Sequence, residues 1–208
     1  MENNTTINVT LYEARKWFNS GNATLKEIAL KAFSKDELTY NFKDITTFKK
    51  ACEVLSLNYD DMFYITKNIA TISKASAAMF KLNIIRKALN LGQDLHLIKD
   101  PKDFYIYYPY NPFVTKSSFY YNNEINLGRM KVIGKIKSEG EEYNVLGGGT
   151  CKSISLGNFI SSDSIGSADA GVGFLGCASQ EIAQHFGKYF GMLITEAKYA
   201  DMIDFEML

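Results

Sequence analysis

Few side chains in this sequence are spaced for chemistry. It holds two histidines, His96 and His185, and three cysteines, Cys52, Cys151 and Cys177. Neither histidine has a close His, Cys or carboxylate at metal spacing, and the cysteines follow no zinc or redox pattern. Three reduced, mostly buried thiols are expected. His185 falls beside the apolar face of a helical stretch, where a packed or half-exposed ring is the default role. A catalytic triad would need an imidazole beside an activated Ser or Cys, and no Gly-x-Ser-x-Gly elbow is present. The stretch Leu146-Gly147-Gly148-Gly149-Thr150-Cys151-Lys152-Ser153 shares only the Lys-Ser ending of a phosphate-binding loop. Leu146 and Cys151 stand where that loop has glycine. The residues that follow, Ile154-Ser155-Leu156-Gly157, look like a strand and not a helix whose N-terminus could hold phosphate. A flexible loop or glycine bulge is expected there. Of the paired acids, Asp60-Asp61 suits a helix start and Glu141-Glu142 a hairpin end. The expectation is a protein that is not an enzyme, with no catalytic residues, cofactor or metal.

Contact chemistry is more visible. Nine aromatics fall between Phe104 and Tyr121. Neighbours on a strand point to opposite faces, so one buried face cannot take both members of Tyr107-Tyr108 or Tyr120-Tyr121. Some of Tyr107, Tyr108, Tyr110, Tyr120 and Tyr121 are expected under helices or in a subunit interface, where Tyr is enriched. A ring-stacking ligand platform is the alternative. Lys67, Lys74 and Lys81 recur every seven residues in a stretch without acids from 62 to 93. On one continuous helix they would line a single face, either solvated or docked on an acidic protein surface. Gly187 and Gly191 lie one turn apart inside the last helix, where each costs about 1 kcal/mol. They imply close backbone approach, to a sheet or to a second copy. A homo-oligomer, with a dimer favoured, is expected from these features.

The composition narrows the partners. Of 208 residues, 46% are hydrophobic, enough to bury a sizeable core. The 23 basic and 23 acidic residues cancel, whereas nucleic-acid binders usually carry a basic surplus. Only Arg15, Arg86 and Arg129 are arginines, few for bidentate phosphate or carboxylate recognition. The neutrality hides an asymmetry. Residues 1–100 hold 14 basic and 11 acidic residues, or +3, and residues 101–208 hold 9 and 12, or −3. The negative share falls partly in Asp201, Asp204 and Glu206. Unlike surfaces could meet between copies, and such assembly would weaken with salt. The first ten residues lack a basic and an apolar signal region, and no apolar run reaches the ~18 residues of a membrane span. No nucleic acid, no membrane and synthesis in a reducing cytoplasm are expected.

The elements that must position these residues follow from caps and periodicity. Thr10 with Glu13, Thr24 with Glu27 and Ser34 with Glu37 read as three capping boxes. Helices are expected over 11–19 and 25–33, with Trp17 packed between them. A third is expected over 45–57 with Asp44 as its cap. After a turn at 58–60, capped by Asp60 or Asp61, a long helical stretch covers 62–91. It is interrupted near Ser73 and stopped by Gly92. Beyond Pro101 the pattern turns to strands: 104–108, 118–122, a hairpin of 129–137 with 142–146, then 153–160 and 171–178. Ser179 caps a final helix to about 197, whose apolar face includes Ile182, Phe186, Tyr189, Phe190, Leu193, Ile194 and Ala197. The fold class is α+β: a helical N-terminal half, then an antiparallel sheet covered by the C-terminal helix. The expected division is a helical module over 1–60, a long helical segment over 61–100 and a β domain over 101–208.

The first of these segments carries a resemblance. Ala14, Trp17-Phe18, Gly21-Asn22, Leu25-Lys26, Phe33 and Glu37-Leu38 follow a recognisable order. It is similar to an N-terminal helical module widespread in proteins of phages and prophages of Bacteroidota, including crAss-like phages. About 30 residues match well, and 174–199 resemble family endings more loosely. The family's acidic-Lys-Gln-Ala helix is replaced here by Ile72-Ser-Lys-Ala-Ser-Ala-Ala78. The resemblance brings no catalytic residues. It implies a structural virion component of a tailed phage, a head-fibre or capsid-decorating protein, made in the host cytoplasm and located in the virion among other virion proteins. The alternative is a cytoplasmic phage effector that binds a host protein through the lysine face.

Overall fold

A computed structural model describes residues 8–91, 106–138, 140–153, 175–202 and 205–208. The first three helices are built by their caps. In α1 (Leu11–Asn19) the Thr10 hydroxyl accepts from the Glu13 amide at 3.2 Å, and the Glu13 carboxylate accepts from the Thr10 amide at 3.0 Å. Ser34 and Glu37 repeat this box at α3 (Lys35–Leu38). The expected Thr24 box does not form. Gly21, at φ +74°, turns the chain so that the Asn22 side chain accepts from the Leu25 amide at 3.1 Å. The second helix therefore starts earlier, as α2 (Ala23–Ala32), with Thr24 inside it. Ala14, Ala29 and Leu38 are buried between these helices, and Trp17, Phe18 and Phe33 pack around them.

The next helices differ from expectation at their starts. Asp44 ends a short 3-10 turn (Phe42–Asp44) and caps nothing. Thr47 caps α4 (Phe48–Val54), accepting from the Lys50 amide at 3.2 Å. Ile45 stays outside the helix because its side chain is wholly buried and its carbonyl bonds to His185. Asn58, not Asp60 or Asp61, caps α5 (Tyr59–Ala70) by accepting from both aspartate amides. The break near Ser73 is present, and Ser73 caps α6 (Lys74–Leu89). Gly92 lies outside the described residues.

The second half holds β1 (Ile106–Tyr110), β2 (Phe113–Val114), α7 (Phe119–Asn126), β3 (Lys131–Ser138), β4 (Glu141–Gly147), β5 (Gly149–Ser153), α8 (Gln180–Tyr199) and β6 (Phe205–Met207). The expected strand at 118–122 is helical. Tyr121 and Ile125, four apart, both pack on Val114, Met130 and Leu146, so helical periodicity prevails over aromatic strand propensity. The β3–β4 hairpin forms around Gly140 at φ +83°. One sheet has the order β2-β4-β3-β6 and a second pairs β1 with β5, all antiparallel. Tyr110 pairs with Gly149 and Phe113 with Val145. Two residues, Asn111 and Pro112, thus oppose three, Leu146 to Gly148. The two sheets are one ribbon bent at a bulge, with Gly148 at φ +97°. The expected strand over 153–160 contributes only Ser153 within the described residues. Of 171–178, only 175–178 are described, where Cys177 bridges to Tyr107 through both backbone bonds.

The α+β reading holds, with α8 more central than a cover. Ile182, Phe186, Phe190, Ile194 and Ala197 join the core made by α4, α6 and Leu175 to Cys177. Gly187 and Gly191 face the other way, onto the bent ribbon. A Cβ on Gly191 would lie 2.3 Å from Ile133 Cδ1 and 2.6 Å from Asn111 Nδ2. One on Gly187 would lie 3.1 Å from Pro109 Cβ. The buried Asn111 amide donates to Leu146 O at 2.9 Å and Gly187 O at 3.0 Å, pinning the bend to the helix. Only α1 to α3 share the small cluster, while α4 belongs to the main core. Arg15 links the two, its Nε donating to Glu37 O at 2.8 Å and its Nη1 to Val54 O at 3.1 Å.

Candidate functional site

A polar cleft of about 700 Å³ lies over the bend of the ribbon. One wall is the turn Gly147–Gly149, another is α7 with Tyr120 and Glu124, and a third is the exposed side of α8 with Gln184, His185 and Lys188. Arg129 enters from the segment between α7 and β3, and Lys131 from the start of β3. Each element is placed by forces already described. The bulge turns β5 away from β4, Tyr121 and Ile125 hold α7 on the sheet, and the two helix glycines bring α8 close.

The electrostatics are asymmetric. The Arg129 guanidinium donates to Glu124 Oε1 at 2.5 Å. Among the described residues Lys131 and Lys188 of the lining form no ion pair, and the Lys188 ammonium lies 5.0 Å from the centre of the Tyr189 ring. Burial, and then the nearby Tyr110 and Glu124, push the Tyr120 hydroxyl up to about 12, so it stays protonated at neutral pH. His185 is 9% exposed. Its Nε2 lies 2.9 Å from Ile45 O and must donate to it, since a carbonyl can only accept. Burial lowers its pKa, and Lys188 and Lys43 lower it further, outweighing the bond to Ile45. The ring is therefore neutral at pH 7, with Nδ1 as an acceptor. A smaller cleft of about 310 Å³ shares Gln184, His185 and Lys188 and continues to Phe42, Lys43 and Tyr189. No group of three or more His, Cys, Asp or Glu able to hold a metal occurs among the described residues.

The residues singled out from sequence are not brought together. Tyr110 and Tyr120 line the cleft. Tyr121 packs beneath it, and Tyr107 packs on the main core. Tyr108 is half-buried. Phe104 and Tyr105 lie outside the described residues, as does His96. Lys67 sits on α5, whereas Lys74 and Lys81 sit on α6, because the chain breaks at 71–73. The three lysines expected on one continuous helix face are therefore divided between two helices. Lys74 stands instead at the start of α6, where Asp201 accepts from the Ser73 hydroxyl and from the Lys74 amide at 3.0 Å and the Ala75 amide at 3.3 Å. Those bonds, the Ser73 one foremost, lower the Asp201 pKa. Part of the charge asymmetry is thus satisfied within the chain. The space opened by Gly187 and Gly191 is likewise filled by Pro109, Asn111 and Ile133 of the same chain, not by a second copy.

Sequence reasoning missed Arg129, Lys131, Gln184 and Lys188 as neighbours. They come from distant parts of the chain, and only the glycine run marked the place. No helix among the described residues is long and apolar enough to cross a membrane. Comparison with protein-family models, curated proteins and solved structures finds no match to this chain.

Proposed function

We propose that the chain is a structural component of a tailed-phage virion, a head-fibre or capsid-decorating protein that works by holding protein surfaces together. One observation carries the contact role. Helix α5 leaves Phe63 50% and Tyr64 66% exposed, and Ile72 just beyond it is 90% exposed. Large apolar side chains left exposed on and just after a capped helix are the kind of groups that protein contacts use. The virion setting rests on the sequence resemblance at 11–38. Its motif residues Ala14, Trp17, Phe18, Phe33 and Leu38 form one small core, so the motif reads as a packing unit with no chemistry of its own. Mass spectrometry of purified particles is the direct test. Stoichiometric recovery of the chain is the expected result, and its absence from intact particles would end the reading.

A further inference from the structure

We propose that α5 pairs with α5 of a second copy of the chain, antiparallel, about a two-fold axis beside Phe63 and Tyr64. The inference rests on the contact role given to this helix above and not on the virion setting. Asp60, Phe63, Tyr64 and Lys67 stand at positions i, i+3, i+4 and i+7 of one helix, so they share one stripe. All four are exposed, while Tyr59, Met62, Thr66 and Ile69 make the inward stripe. Along the outer stripe the order is acid, two rings, base, and its midpoint falls between the rings. Turned end for end, the stripe matches itself. Asp60 meets the second copy's Lys67, Lys67 meets the second copy's Asp60, and the rings meet their counterparts. That is the self-complementarity an isologous contact requires. Parallel pairing would instead set acid on acid and base on base.

Neither Asp60 nor Lys67 has an ion-pair partner among the described residues, so both charges are available. Exposed Leu57 and Ile72 flank α5 at opposite ends, and the antiparallel arrangement brings Leu57 of each copy toward Ile72 of the other. The apolar groups supply the buried area and the charges fix direction and register. The face is also preformed. Asn58 caps α5 through two amides. The Phe63 ring centre lies 5.9 Å from that of Tyr59, itself 6.1 Å from that of Phe48. Little ordering cost then opposes association.

The test is analytical ultracentrifugation of the full chain over a concentration series. A monomer–dimer equilibrium in the micromolar range is expected, since a contact made by one short helix falls below the standard interface size. K67E sets two acid–acid pairs in each dimer and should weaken it about tenfold or more. D60K sets two base–base pairs and should do the same. An equimolar mixture of the two variants restores every pair and should dimerise about as tightly as the parent, as should the double variant D60K/K67E. K87E, which makes the same change of charge on α6, should leave the equilibrium unaltered. Should D60K fray the start of α5, K67E against K87E decides. A chain that stays monomeric at hundreds of micromolar overturns the inference, as does a dimer indifferent to K67E or growth into open-ended oligomers. A monomeric chain that is still recovered from purified particles would leave the virion reading standing, assign the α5 face to a different protein and overturn the self-pairing.

Discussion

The helices α1 to α3 and the body around α8 are stabilised in different ways. The first unit buries three aliphatic side chains and relies on two capping boxes and an asparagine cap. The second wraps a twenty-residue helix on two faces, one by aliphatic and aromatic packing, the other by glycines against a sheet. Local hydrogen bonds set the boundaries of the first, and long-range fit sets the second. Substitutions should therefore act through different physics in the two regions.

The largest effect is expected in the body. Phe186→Ala removes a wholly buried ring and should cost about 3–5 kcal/mol, read as a lowered denaturation midpoint. Next comes the sheet side of α8. Gly191→Ala gains about 1 kcal/mol of helix propensity, but its Cβ meets Ile133 and Asn111 well inside contact distance. Overpacking of about 1–3 kcal/mol should win, so the variant is expected to melt lower. The same change at Gly187, with its nearest neighbour at 3.1 Å, should be close to neutral. A Gly191→Ala protein more stable than the parent would refute the asymmetry between the two glycines. In the first unit, Ser34→Ala should cost about 1 kcal/mol. It should be visible as faster amide exchange over 34–38 with the body unaffected. The smallest stability change is expected on the exposed patch. Phe63→Ser with Tyr64→Ser should stay within about 0.5 kcal/mol of the parent, while lowering any oligomer seen by light scattering. An unchanged oligomeric state would remove α5 from the contact surface.

Acid should separate the regions as well. Burial holds the His185 pKa below its ordinary 6.5. The unfolded chain then binds the proton more readily. The body's stability from this group is complete above pH 6.5 and declines as pH falls below it. The carboxylates of Glu13 and Glu37 are lowered from 4.5 by their cap bonds. Their contribution is complete above that value and is lost only at lower pH, as the folded groups protonate. Near-ultraviolet signals of the body should thus weaken before those of Trp17. A His185→Gln variant should lose the first of the two phases. Asp201, lowered by Ser73, belongs with the later phase although it serves the body.

Legibility from sequence followed the same division. Thr10, Ser34 and Ser179 speak through residues three positions away, whereas Asp60 and Asp61 masked Asn58 as the cap of α5; periodicity locates α1, α6 and α8. Asn22 displaced Thr24 because two acceptable caps lay within three residues and only Gly21 decided between them. The α7 segment misled because Phe119-Tyr120-Tyr121 favours a strand, while its i,i+4 contact to Leu146 appears only in the folded chain. The cleft was least legible. Glu124, Arg129, Gly148 and Lys188 are joined by a bulge that depends on Asn111, and nothing near Asn111 in sequence announces that its amide spans two carbonyls.

The position of α8 in the chain also shapes synthesis. Its partners α4, α6 and the ribbon all emerge from the ribosome before it, yet each turns part of its apolar surface toward it. The unit of α1 to α3 makes its own small cluster from residues 9–38 and can condense while translation continues. The body cannot close until residue 199 has been made. A nascent chain stalled before residue 180 should therefore present a finished head on an open, chaperone-binding trunk.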